Sequence, residues 1–95
     1  MKSYQIRMYN EYYTLCDRYR KLIRILRDYD IGQLDFTPNC PIELLKEQAD
    51  IMKRYIDILL ERSKYEDVEL NEFEFRIEHG EDYGIYWNYG KWKHV

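Results

Sequence analysis

The sequence predicts a mainly α fold: an antiparallel two-helix hairpin with a C-terminal β-hairpin, assembled as a homo-oligomer. Three observations predict it. Two long stretches repeat apolar residues at alternating four- and three-residue steps, the period of one helix face. A short loop holding Gly32, Pro38 and Pro41 separates them. The second stretch carries two apolar stripes, and one neighbouring helix needs only one.

The first helix is expected from about Ser3 to about Tyr29. Its seam is Met8, Tyr12, Leu15, Tyr19, Leu22, Leu26 and Tyr29, a heptad pattern. Ser3 is the expected N-cap. At 1.5 Å per residue the helix would run about 40 Å. The neighbouring face carries Tyr9, Tyr13 and Cys16, then Arg20, Arg24 and Arg27. That basic stripe reads as a solvated face or as an anion-binding surface between apposed copies.

Gly32 suits the left-handed position that closes a helix. In the loop Asp30–Pro41, Leu34 and Phe36 are expected to plug the open end of the hairpin. Pro41 fits the first turn of the second helix, with Asn39 or Cys40 as its cap. Glu43 and Glu47 would lie near the positive end of that helix's dipole. A loop this short makes the helices antiparallel neighbours.

The second helix is expected from Ile42 to about Ser63. Leu45, Ala49, Met52, Ile56 and Leu59 form one seam, assigned to the first helix. Leu44, Gln48, Ile51, Tyr55, Ile58 and Arg62 form the other, assigned to a second copy. Residues 64–72 read as a helix extension or a linker. Phe73, Phe75 and Ile77 then alternate with charged residues, and residues 83–89 are again strand-like, so 73–89 reads as a β-hairpin turning at 79–82. The expected division is a helical hairpin over 1–65 and an acidic, aromatic extension over 66–95, one domain in all.

Ninety-five residues make a marginal monomer. Eleven tyrosines against three phenylalanines favour half-buried and interface positions. A net charge of −3 argues against a DNA or RNA polymer as partner. The charge is uneven: +5 over residues 1–27, −3 over 28–65 and −5 over 66–95. Two isolated cysteines, Cys16 and Cys40, read as reduced thiols rather than a disulfide scaffold. The expectation is an intracellular chain without a signal peptide or membrane span.

Catalytic patterns are missing. Ser3, Ser63, His79 and His94 form no nucleophilic triad, and no glycine-rich phosphate loop occurs. The expectation is therefore no enzyme, no cofactor and no metal. Glu78, His79, Glu81 and Asp82 form an acidic turn that reads as solvated rather than as a cation site. The aromatics at 83, 86, 87, 89 and 92 could stack bases, but they also suit the packed side of a hairpin. Arg62 is more pointed. It ends the second seam, where a cation needs a carboxylate or an external anion. Glu61, Glu66 or Glu11 could supply the carboxylate. A phosphate could supply the anion, with Arg7 joining from the start of the first helix.

Residues 4–62 resemble a family of small phage-encoded helical hairpins, the crAss-like phage related proteins. Tyr4 to Met8, Glu11, Leu15, Arg18, Lys21 and Leu22 carry the resemblance in the first helix. Gln48, Met52, Tyr55, Leu59 and Arg62 carry the more specific block in the second. More distantly the hairpin is similar to phage anti-CBASS sponges, oligomers that sequester cyclic nucleotides. That resemblance implies phosphate contacts from Arg7 and Arg62, assisted by Lys21 and Tyr4, and Tyr55 of the second seam completes the expected ligand set. It implies a phage anti-defence protein of the host cytoplasm, which withholds a nucleotide second messenger (a cyclic oligonucleotide or an ADP-ribose-derived signal) without turnover. The rival reading is an oligomeric interaction module that inhibits a host or defence protein through its C-terminal extension. A small hydrolase using the acids of 78–82 is the third.

Overall fold

A computed structural model describes residues 2–71 with their side chains, and the backbone of 76–77, 85–88 and 91–94. Helix α1 spans Ser3–Asp30 and helix α2 spans Ile42–Tyr65. They pack side by side as an antiparallel hairpin, with the Gln5 side chain donating to the Glu66 carbonyl oxygen at 3.0 Å across the open end.

The seams settle the packing. Met8, Tyr12, Cys16, Tyr19, Leu22, Ile23 and Leu26 of α1 are buried, as are Ala49, Ile56 and Leu59 of α2. Leu15, Leu45 and Met52 pack against them from partly buried positions. The first seam of α2 therefore faces α1, as the spacing predicts. Two details of the α1 seam differ. Cys16 lies in the core instead of on the neighbouring face, one helical turn from Tyr12 and close to its centre. Tyr29, last in the predicted seam, is exposed. A seven-residue repeat drifts about 20° per heptad around a straight α-helix, and by Tyr29 it has left the core face.

The caps also differ from expectation. Lys2, not Ser3, is the N-cap of α1, and its backbone N–H donates to the Gln5 Oε1 at 2.8 Å. A carboxamide three residues into a helix can reach back whatever the capping side chain is. At α2 the N-cap is Pro41 itself, not Asn39 or Cys40, and its carbonyl accepts the Leu44 N–H at 3.1 Å. Both helices close by the same device. Gly32 has φ +72°, and the Gln33 N–H reaches the Asp28 carbonyl at 2.7 Å. Asp67 has φ +55°, and the Val68 N–H reaches the Ser63 carbonyl at 3.0 Å. Each left-handed residue turns the chain so that orphan carbonyls are satisfied, and aspartate tolerates this better than most side chains. Phe36 does not plug the loop end: it is 52% exposed, while Leu34 is half-buried.

Residues 66–71 form a strap rather than a helix extension. Val68 is buried, and Leu70 packs against the core cluster. The Tyr12 hydroxyl donates to the Asn71 carbonyl at 2.6 Å, and the Asn71 N–H donates to the Tyr13 hydroxyl oxygen at 3.2 Å. Beyond it the backbone holds three short strands, β1 (Arg76–Ile77), β2 (Ile85–Asn88) and β3 (Lys91–His94), paired antiparallel in that order. The predicted hairpin over 73–89 depends on residues 73–75, 78–84 and 89, which lie outside the described residues. The acidic turn at 78–82 lies there too. No helix among the described residues is long and apolar enough to cross a membrane.

Candidate functional site

The second seam of α2 is open. Leu44 is 55% exposed and Ile51 62%, and Tyr55 and Ile58 are exposed as well. A stripe of α1 continues this face. Tyr4, Arg7, Glu11, Leu15 and Arg18 step three, four, four and three, so they share one side of that helix. The Tyr55 hydroxyl donates to Glu11 Oε2 and joins the two stripes. That bond holds the Tyr55 phenol above its ordinary pKa, because ionisation would break it and set two negative charges together.

Four of the five expected ligand residues gather at the open end of this face. Arg7 lies between Gln5 and Glu11 in α1, and Arg62 lies between Tyr55 and Glu66 in α2. The contacts of Gln5 with Glu66 and of Glu11 with Tyr55 bracket both arginines at one level. Arg62 is close enough to Tyr55 to bear on its ionisation. Tyr4 is one turn from Arg7 and exposed. Arg62 meets a carboxylate, that of Glu66 four residues on, at 3.0 Å with the guanidinium half-exposed. Arg7 makes no ion pair among the described residues.

Lys21 stands apart. It is fourteen residues from Arg7, about 21 Å along α1. It binds Asp17 at 3.0 Å, and this pairing holds the Asp17 carboxyl below its usual pKa. Within one protomer it does not reach the group at the open end. The basic stripe of Arg20, Arg24 and Arg27 lies on the other flank, where Arg20 pairs with Asp17 and Arg27 with Asp28.

Two shallow clefts mark the open face. One, of about 340 Å³, is lined by Leu44, Glu47, Gln48, Ile51 and Met52 along the second seam. The other, of about 350 Å³, lies between the helices and is lined by Asn10, Glu11, Thr14, Leu15, Arg18 and Tyr55. Asn10 and Thr14 carried no signal in the sequence beyond polarity at four-residue spacing. No group of metal-ligating side chains occurs among the described residues.

Comparison with known proteins places this hairpin. The Sequestin family model matches residues 2–65, which is both helices and the loop between them. No curated protein and no solved structure matches the chain. The matched stretch covers well over half of the sequence and holds the open face entire, and on that ground the chain belongs to the Sequestin family.

Proposed function

We propose that this protein is a phage anti-defence protein that binds a nucleotide immune signal, a cyclic oligonucleotide or an ADP-ribose-derived molecule, and withholds it without turnover. The family name is consistent with a protein that sequesters a molecule. The observation that carries the nucleotide reading is the gathering of Tyr4, Arg7, Tyr55 and Arg62 on one open face. Guanidinium groups suit phosphate oxygens, and phenol rings suit base faces. Retention needs only binding groups, and the face offers them.

Self-association completes the reading. The exposed seam from Leu44 to Ile58 is the surface on which a second copy would sit, enclosing the arginines between protomers. Lys21, out of reach within one chain, would then join from the other copy. Residues 66–95 are an acidic, aromatic extension of the same domain, which begins with the strap packed on the hairpin.

The test is thermal melting of purified protein with cyclic di- and trinucleotides and ADP-ribose-derived signals. A ligand at 100 times its Kd stabilises by about 2.7 kcal/mol. For a chain this small, that raises Tm by roughly 10–20 °C. Arg62→Ala and Arg7→Ala should each diminish the shift, and ligand released by heat should be chemically intact. No shift with any of these signals overturns the proposal, and degraded ligand overturns the claim of binding without turnover.

A further inference from the structure

We infer that the cleft lined by Asn10, Glu11, Thr14, Leu15, Arg18 and Tyr55 is a ribose-phosphate site. The inference rests on the nucleotide reading above and says which part of such a ligand lies where. It uses Asn10, Thr14 and Arg18, three residues with no place among the five expected ligand contacts.

Arg18 is the first reason. Among the neighbouring cations of α1, Arg20 and Lys21 pair with Asp17 and Arg27 with Asp28, while Arg24 stands on the opposite flank, away from this cleft. Arg18 has no carboxylate partner among the described residues, yet it lines a cleft. A guanidinium there has its five donors directed by no described residue, and a phosphate takes two of them at once.

Glu11 is the second reason. One carboxylate oxygen accepts the Tyr55 hydroxyl, which fixes the side chain across the gap between the helices. The other oxygen accepts no hydrogen bond from a described residue. A fixed carboxylate oxygen with spare lone pairs is an acceptor for hydroxyl donors, and a sugar diol presents two side by side. Asn10 and Thr14 also make no side-chain hydrogen bond to a described residue. They stand at four-residue steps before Arg18, so Asn10, Thr14 and Arg18 form one polar rail along α1. Leu15 and the Tyr55 ring supply the apolar wall.

Sign and spacing narrow the ligand. Glu11 and Arg18 are seven residues apart, about 10 Å along the helix before the arginine side chain reaches back. A bare inorganic anion would meet Arg18 but be repelled by Glu11. An uncharged nucleoside would meet Glu11 but leave Arg18 idle. A ribose-phosphate offers hydroxyl donors at one end and an anion at the other, in the polarity the cleft presents. A cleft of about 350 Å³ falls at the small end of ligand sites, large enough for that fragment but not for an entire dinucleotide.

The experiment is a ¹H–¹⁵N NMR titration of the full chain with ribose 5-phosphate, 2-deoxyribose 5-phosphate and inorganic phosphate. Ribose 5-phosphate should move the amide signals of residues 10–18 and 55 and the Asn10 side-chain amide. The deoxy sugar should bind several-fold more weakly, and inorganic phosphate at least tenfold more weakly. Arg18→Ala and Glu11→Gln should each cost at least tenfold, about 1.4 kcal/mol, while the spectrum away from the cleft stays native. Shifts that fall elsewhere, or that survive Arg18→Ala, overturn the site. The two proposals separate cleanly. If a nucleotide signal stabilises the protein but Arg18→Ala binds it as the native chain does, this site is wrong and sequestration stands. If ribose 5-phosphate binds at residues 10–18 and no nucleotide signal stabilises the protein, the site stands and sequestration falls.

Discussion

Tyr55 is the residue on which the open face turns. Its hydroxyl is committed to Glu11, its ring walls the cleft, and Arg62, two steps on along the seam, is close enough to act on its ionisation. The raised phenol pKa has a definite consequence. A group whose pKa is raised by folding adds stability that is complete below the unfolded value, near 10 for tyrosine, and is lost as pH rises through the folded value. Ultraviolet titration should therefore show Tyr55 within a late-ionising step, and Tyr55→Phe should reduce that step by one phenol. An unchanged late step in Tyr55→Phe would refute the assignment. Arg62 was legible from the sequence as a cation in need of a partner, and Glu66 was among the named candidates. The pairing of Tyr55 with Glu11 was not legible. It joins residues 44 positions apart, and helix periodicity carries no information on which cross-helix groups meet.

At the scale of the helices, spacing alone separated the two faces of α2, because core and open stripes differ by about one residue step around the same cylinder. This supports a paired prediction. Ile56 is buried and Ile51 is 62% exposed, though they are chemically alike and five residues apart. Ile56→Ala should cost about 2–5 kcal/mol, the range for a large-to-small change in a core. Ile51→Ala should cost under about 0.5 kcal/mol in the isolated hairpin. Chemical denaturation in dilute solution measures both, and equal losses would mean that the seam is already covered. Helix ends were less legible than helix faces. Ser3 and Asn39 have capping side chains, yet the N-caps are Lys2, one residue before Ser3, and Pro41, two residues after Asn39. Gln5 explains the first case: one carboxamide caps Lys2 and also donates to the Glu66 carbonyl, so a tertiary contact fixes the start. Gly32 was read correctly because its left-handed backbone is rare for other residues.

For the molecule as a whole, the strap matters most. Residues 64–72 read equally as helix extension or linker because their only aliphatics, Val68 and Leu70, are too few to show a period. Both nonetheless face inward, and Tyr12 and Tyr13 hold Asn71 by its backbone. Backbone hydrogen bonds of this kind leave no mark on sequence pattern, since any residue could supply them. The strap should belong to the folded unit. A chain ending after Asn71 should melt cooperatively near the full-length Tm. A chain ending after Tyr65 should lose several degrees, because Val68 is gone and the buried Tyr12 hydroxyl has lost its acceptor. Circular dichroism melts compare the two, and identical curves would show that the strap contributes nothing.

The strap also gives the protein a front and a back. Asn71 is held by Tyr12 and Tyr13, on the flank of α1 away from Glu11, Arg18 and the open seam. A chain anchored to a sensor chip through residue 71 would turn its cleft toward the flowing solution. One anchored through Tyr4 or Ile58 would press that cleft against the support. The direction of tethering, with no change in any contact residue, would then decide whether an immobilised sample reports binding at all.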